Sequence, residues 1–302
     1  MLRLILPGIA GLTVAIVLAI AAIVLPVVLD DCPAAAPPGP ICEQSPATGG
    51  FRYRLKEVFG PSVGGWIGSI EYRAGYLNGI DGVRDGMVAS LEPFDILIAK
   101  NGFALSDVVI PGHFSHVIVH IGSAAELSRS GLWNDPALDE HRSAIQRGRM
   151  FIEATPEGAH LSTLEDILNT DAIAVLRVSP PAAGAAEWRA RTLARLMASI
   201  GQPYDFNFDV DSGAETTCTE LVLRAFEGID WPLRTVMDRR VLLPDDIIRV
   251  ALSRQQSIRF TGTFAVGTEN SFSMAGEDRL QGSLPSCPPI ASSLPDVVNV
   301  VR

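Results

Sequence analysis

A thiol, an imidazole and a carboxylate occur in this chain in settings where they could work together. Cys218 lies in Thr216-Thr217-Cys218-Thr219-Glu220-Leu221-Val222. His116 enters the apolar run Ser115-His116-Val117-Ile118-Val119-His120-Ile121-Gly122, and Glu153 sits in Met150-Phe151-Ile152-Glu153-Ala154-Thr155. A nucleophile, a base to take its proton and a group to orient the base are what acyl transfer through a covalent intermediate requires. Here the base precedes the nucleophile along the chain.

Those side chains need elements to hold them. Thr217 followed by Glu220 fits a capping box ahead of Leu221, Val222, Ala225 and Phe226, which places Cys218 in the first turn of a helix. Free amide groups and the positive end of the helix dipole favour a thiolate there. The plainer reading of the same residue is a small buried apolar cysteine. His116 enters a run apolar enough for a central strand. His120, four residues on, points to the same side about 13 Å away at roughly 3.3 Å per residue, so the two cannot do the same job. His113 falls in a loop where it could touch a substrate. Glu153 shares a strand face with Phe151 and Thr155, and an edge carboxylate facing water is its ordinary reading.

Further strand candidates are Asp95–Ala99, Met150–Ala154, Ala174–Val178 and Ser257–Thr261, each short and rich in β-branched or aromatic residues. Residues 124–149 are polar, with Gly131, Asn134 and Pro136, and read as a long insertion or loop. Ser162–Leu168 reads as a short helix and Asp245–Leu252 as a last one. Ala186, Ala190, Leu193, Met197 and Ile200 recur at helical spacing, which predicts one buried stripe stopped by Gly201. Residues 54–80 read as helical pieces interrupted by glycines.

Taken in order, the pieces resemble the permuted papain-like cysteine hydrolases of the YiiX type, relatives of the NlpC-type cell-wall peptidases. The likeness runs from about Phe94 to Phe226, somewhat under half of the chain. It is carried by Pro-Phe-Asp-Ile-Leu at 93–97, the histidine strand at 115–122, and Ile-Glu-Ala with a following Gly158. Gly-Gln-Pro-Tyr-Asp-Phe at 201–206 and Cys-Thr-Glu-Leu-Val at 218–222 complete it. Thr219 stands where the family usually has Ser, which keeps the hydroxyl. The resemblance implies an α+β fold, a circularly permuted papain-like domain with a small antiparallel sheet packed on helices. It implies Cys218 as nucleophile, His116 as base, Glu153 as the residue that orients His116, and Tyr204 beside the thiol as an oxyanion donor. It implies hydrolysis of an amide in cell-wall peptide through a thioester. Two alternatives stand beside that: a lipid or acyl-ester hydrolase or acyltransferase, and a non-catalytic binding module of the same fold.

Of 302 residues, 24 are basic and 34 acidic, and no basic cluster forms a stripe, which argues against a nucleic-acid partner. Asp205, Asn207, Asp209 and Asp211 invite a calcium reading, but an EF-hand loop wants Gly at its sixth position and Glu at its twelfth, where Val210 and Thr216 stand. No Cys/His pair has zinc-ligand spacing, so neither metal nor cofactor is expected. Leu4 to Leu29 carries no charge and is long enough to cross a bilayer, with Arg3 before it and Asp30 and Asp31 after it. The expectation is an uncleaved anchor over 1–30 in the inner membrane, with the rest of the chain extracytoplasmic. A cleaved secretory signal is the competing reading. Residues 31–50 read as a Pro/Ala/Gly-rich linker, 51–262 as the catalytic domain and 263–302 as an extended or disordered tail. In an oxidising compartment Cys287 could pair with Cys42 or Cys32.

Overall fold

The computed structural model describes residues 73–102, 112–211, 213–236, 239–254 and 257–285. The strands are β1 (Ile96–Lys100), β2 (His116–His120), β3 (Arg149–Thr155), β4 (Gly158–Thr163), β5 (Ala172–Val178), β6 (Arg234–Val236), β7 (Arg239–Val241), β8 (Ile258–Thr268) and β9 (Ser271–Ala275). Seven of them form one antiparallel sheet in the order β4-β3-β2-β1-β5-β8-β9, and β6 and β7 pair separately. The helices are α1 (Val83–Ser90), α2 (Ala124–Arg129), α3 (Arg142–Gln146), α4 (Leu164–Ile167), α5 (Ala185–Ser199), α6 (Cys218–Ala225), α7 (Pro244–Ser253) and α8 (Glu277–Ser283). This is the α+β arrangement of antiparallel sheet and helices expected of a permuted papain-like domain.

The central strands are apolar on both faces because both faces are covered. On β1, Ile96 and Ile98 join the larger core with Val117 and Val119 of β2. Leu97 and Ala99 join a smaller core on the other face with Ile118. On β5, Ala174 and Leu176 go one way and Ile173 and Val175 the other. A strand buried on both sides reads as an unbroken apolar run, and each such side chain contributes about 1.5–3 kcal/mol by leaving water. Side chains of α2, α3, α5, α6 and α7 build the larger core, and those of α1 and α4 the smaller. Sliding β2 by one residue would exchange the side chains that fill the two cores and turn His116 to the other face, which the Ala99–His116 pairing prevents.

Four expectations need correction. Residues 124–149 are no loop: they hold α2, a 3-10 turn over Pro136–Leu138, and α3. Helices this short bury one residue each (Leu127, Leu138, Ile145) and so show no periodicity. Residues 158–163, with Ser162 and Thr163 expected in a helix and the rest in no element, form β4; the helix begins at Leu164 behind the cap Thr163. Residues 263–283, expected in an extended tail, are instead folded: β8 runs to Thr268 and is followed by β9 and α8, and the rest of the expected tail beyond 285 lies outside the described residues. Phe264, Ala265 and Leu280 anchor this stretch, whose many Ser and Gly residues belong to an edge hairpin with an exposed face. On α5 the buried face is Trp188, Thr192, Leu193, Leu196 and Met197, with Ala186 in solvent. Ala190 and Ile200 of the expected stripe pack partly buried against the core, whereas Ala186 matched the spacing without having the bulk to claim that side.

The expected anchor, the linker, Cys32, Cys42, Cys287 and most of 54–80 lie outside the described residues. Among the described residues, no helix is long and apolar enough to cross a membrane.

Candidate active site

Two buried carboxylates fix β2 at its ends. At the start, Asp245 in the first turn of α7 accepts the N–H of His113 on Oδ2 and the N–H of Phe114 on Oδ1, each at 2.9 Å. At the far end, Asp95 is gripped by Arg177 Nε at 2.8 Å and Nη2 at 2.7 Å, while the Asp95 carbonyl accepts the His120 N–H at 2.9 Å. Paired, hydrogen-bonded carboxylates of this kind cost little to bury and would cost much to orphan. They hold the histidine strand between α7 and β1.

His116, the first residue of β2, meets Glu153 of β3: His116 Nε2 and Glu153 Oε2 are 2.7 Å apart. The other Glu153 oxygen accepts the hydroxyl of Ser162 and lies 3.6 Å from His160 Nε2. Both of those residues are on β4, and His160 is directly opposite Glu153 in the register. Burial acts to raise the Glu153 carboxyl, but the bond and charge of His116, with Ser162 and His160 behind them, hold it below its usual value. Burial acts to lower the His116 ring; the hydrogen bonds and negative charge of Cys218 and Glu153 outweigh it and push the ring up to about 10. Glu153 occupies Nε2, and Cys218 is near enough to the ring to act on its charge.

Cys218 is the first residue of α6 and nearly inaccessible. Thr217 caps the helix, its hydroxyl oxygen accepting the Glu220 N–H at 3.3 Å. The reciprocal half of the expected capping box is different. Glu220 Oε1 takes the Thr217 hydroxyl at 3.2 Å and Oε2 takes Arg224 at 2.5 Å. Burial pushes Glu220 up to about 7, with Arg224 opposing it. Leu221, Val222 and Ala225 seat α6 on the sheet, where the helix packs against β2 and β3. Two segments far apart in sequence therefore converge on the thiol.

A third segment arrives through backbone pairing. The Ala159 N–H donates to the Gln202 carbonyl at 3.0 Å and the Gly201 N–H to the Ala159 carbonyl at 2.8 Å. Residues 201–203 thus run along the edge strand β4. Gly158 has φ +101°, and a Cβ there would lie 2.6 Å from the Gln202 oxygen, so only glycine lets the segment pass. Asp205 N–H then donates to the Thr216 carbonyl and Thr216 N–H to the Pro203 carbonyl, which brings Tyr204 alongside the residues leading to Cys218. Burial, then the negative charges of Cys218, Asp205 and Glu220, hold the Tyr204 hydroxyl well above its ordinary pKa of 10. It keeps its proton and remains a donor. Its ring packs edge-on against Phe206 and Phe208.

The acidic run 205–211 is bound up internally. Asp205 accepts the N–H groups of Asn207 at 2.7 Å and Asp209 at 2.8 Å, and Asp211 pairs with Arg240. His113, expected near substrate, stands beside Lys100 and Ser115 around a cavity. Ser162, His160 and Asp245 escaped the sequence reading. The first two are two residues apart on a strand, a face-sharing spacing that would have shown once β4 was recognised.

Residues 90–280 match the family model described as permuted papain-like amidase enzyme, YaeF/YiiX, C92 family. That is well over half of the chain, and it extends the likeness through β8 and β9. Comparisons with curated proteins and with solved structures gave no match.

Proposed function

This chain belongs to the permuted papain-like amidase family, a family of hydrolases, and we propose that Cys218 is its nucleophile, His116 its general base and acid, and Glu153 the residue that positions His116. In this reading the Cys218 thiolate attacks the amide carbonyl carbon. The carbonyl oxygen gains negative charge opposite the first N–H groups of α6, which the helix itself does not use, and the Tyr204 hydroxyl. His116 gives its proton to the departing amine, leaving a thioester on Cys218. Water then attacks that thioester while His116 takes its proton, and the acid product leaves with the thiolate restored. Glu153 accepts from Nε2 throughout, which holds the ring in one tautomer and supports its charged form.

The observation that supports this reading best is the surroundings of one ring: His116 is bonded to Glu153 at 2.7 Å and raised further by Cys218. A cell-wall peptide is the substrate proposed. A domain held outside the cytoplasm by residues 4–29 would meet it there, a placement that protease accessibility in intact and permeabilised cells would test. The catalytic reading is tested with peptidoglycan stem peptides and mass spectrometry of the products. Wild-type protein is expected to cleave an amide and Cys218→Ala to leave it intact, with the same circular dichroism. Equal cleavage by Cys218→Ala would sink the assignment.

A further inference from the structure

At the start of β2 lies a half-open cavity of about 160 Å³, lined by Lys100, Gly102, Gly112, His113 and Ser115. That is room for a small polar group with water, since a water molecule takes about 30 Å³ in the liquid. The charges around it are unevenly matched. Asp245, against Gly112, has both oxygens committed to the His113 and Phe114 N–H groups. Asp171, against Gly102, is held by Arg73 at 2.7 and 2.6 Å and by the Tyr76 N–H at 3.0 Å. Lys100 has no carboxylate within ion-pairing distance among the described residues. The His113 ring is held neutral, pushed down to about 4 by burial first and by the Lys100 charge second. It packs edge-on against Phe114 and makes no hydrogen bond from its nitrogens among the described residues. One unmatched positive charge, a neutral imidazole able to donate and the Ser115 hydroxyl suit an anion, because hydrogen bonds to ionised groups are the strong ones.

The register brings this hollow to the same end of the sheet as His116. Ala99 pairs with His116, and Lys100 and Ser115 are each one residue from that pair. At about 3.3 Å per residue, Lys100 and Ser115 begin within roughly 10 Å of His116.

We propose that this cavity is a subsite for an anionic group of the amide substrate, held by Lys100 and His113 a few bonds from the carbonyl that Cys218 attacks. The inference rests on Cys218 and His116 being the reacting pair. A carboxylate of a peptide and a phosphate of a lipid headgroup share this chemistry, and they can be told apart.

The probes are iodoacetyl compounds that alkylate Cys218: iodoacetyl-γ-aminobutyrate, its uncharged carboxamide, and iodoacetyl-phosphoethanolamine, all on the full chain. The carboxylate probe is expected to outpace its carboxamide by about tenfold, the size of one hydrogen bond to a charged group. That ratio is expected to fall to about one in Lys100→Met and to persist in Lys100→Arg. A greater preference for the phosphate probe, equally lost in Lys100→Met, supports the subsite and assigns it to a phosphate. A ratio near one for both anionic probes in the wild type overturns the proposal. His113 ring resonances, followed by NMR while N-acetyl-γ-aminobutyrate or inorganic phosphate is added, separate the two layers. A saturable shift without any labelling of Cys218 means that the catalytic reading has failed and the substrate subsite with it, leaving an anion site alone. Labelling that depends on His116, without charge preference and without a shift, leaves the catalytic reading standing and removes the subsite.

Discussion

The two ends of β2 carry the same side chain, four residues apart, in opposite states. Both rings are buried and both have a glutamate nearby. His116 is pushed up to about 10 and His120 is pushed down from 6.5. The difference lies in whether the carboxylate bonds the ring directly. Glu153 puts Oε2 on His116 Nε2 at 2.7 Å, and Cys218 adds a hydrogen bond and negative charge. Glu126 is 3.9 Å from His120 Nε2, and the same Oε2 accepts the N–H and hydroxyl of Ser123 at the start of α2. His120 has the Glu92 carbonyl 3.0 Å from Nδ1 and packs on the ring of Phe151, and desolvation wins. A nearby acid charges a buried histidine most strongly when it bonds the ring directly.

The hardest test of that contrast is to remove each ring in turn. His116→Ala is expected to slow amide hydrolysis and the alkylation of Cys218 by iodoacetamide by about 10²–10⁴-fold, and to lower the urea midpoint as well because buried Glu153 loses its partner. His120→Ala is expected to cost stability alone, about 2–3 kcal/mol, while the folded fraction reacts normally. Equal kinetic damage from both would erase the distinction between the two ends.

The pH dependence of stability sharpens it. A ring raised from 6.5 to about 10 contributes stability that is fully present below pH 6.5 and is lost as pH rises through about 10. His120, lowered, works in the opposite sense: its contribution is present above 6.5 and is lost as pH falls below that value. Urea unfolding of wild type and His120→Gln from about pH 8 to about pH 5 is therefore expected to show the wild-type advantage shrinking on acidification. Hydrolysis, which needs a proton on His116, is expected to fall above about pH 10, whereas alkylation, which needs none, persists.

The smallest effect is expected one residue further out. Ser162→Ala removes the hydroxyl from Glu153 and leaves the His116 bond in place. A loss of one hydrogen bond, about 1 kcal/mol, is about a fivefold drop in hydrolysis, with the acidic limb of the pH profile shifted toward neutral because Ser162 helps to keep Glu153 charged. An unchanged profile would mean that Ser162 supports β4 alone.

Much of this was legible beforehand. Asp95–Ala99, His116–Ile121 and Met150–Ala154 announce themselves as strands because burial on both faces demands continuous apolar residues, and β1, β2 and β3 lie there. Thr217 announces the start of a helix because the hydroxyl is a local cap, and α6 begins at Cys218. The elements that escaped are those whose reason for existing is elsewhere in the chain. β4 is polar because its side chains serve Glu153 and its backbone carries residues 201–203. The edge hairpin of β8 and β9 has one exposed face and so little apolar pattern. Asp245 looks like any acid in a first helical turn until it is found holding the start of β2.

By itself the sequence determined the order of the chemical groups, the local shapes that carry them and the family to which they belong, since these depend on neighbours along the chain. Tertiary structure alone decided which histidine is charged, which carboxylates are already occupied and that Lys100 has no ion-pair partner among the described residues. Those outcomes depend on distance and desolvation between segments up to 132 residues apart, and no local pattern encodes them.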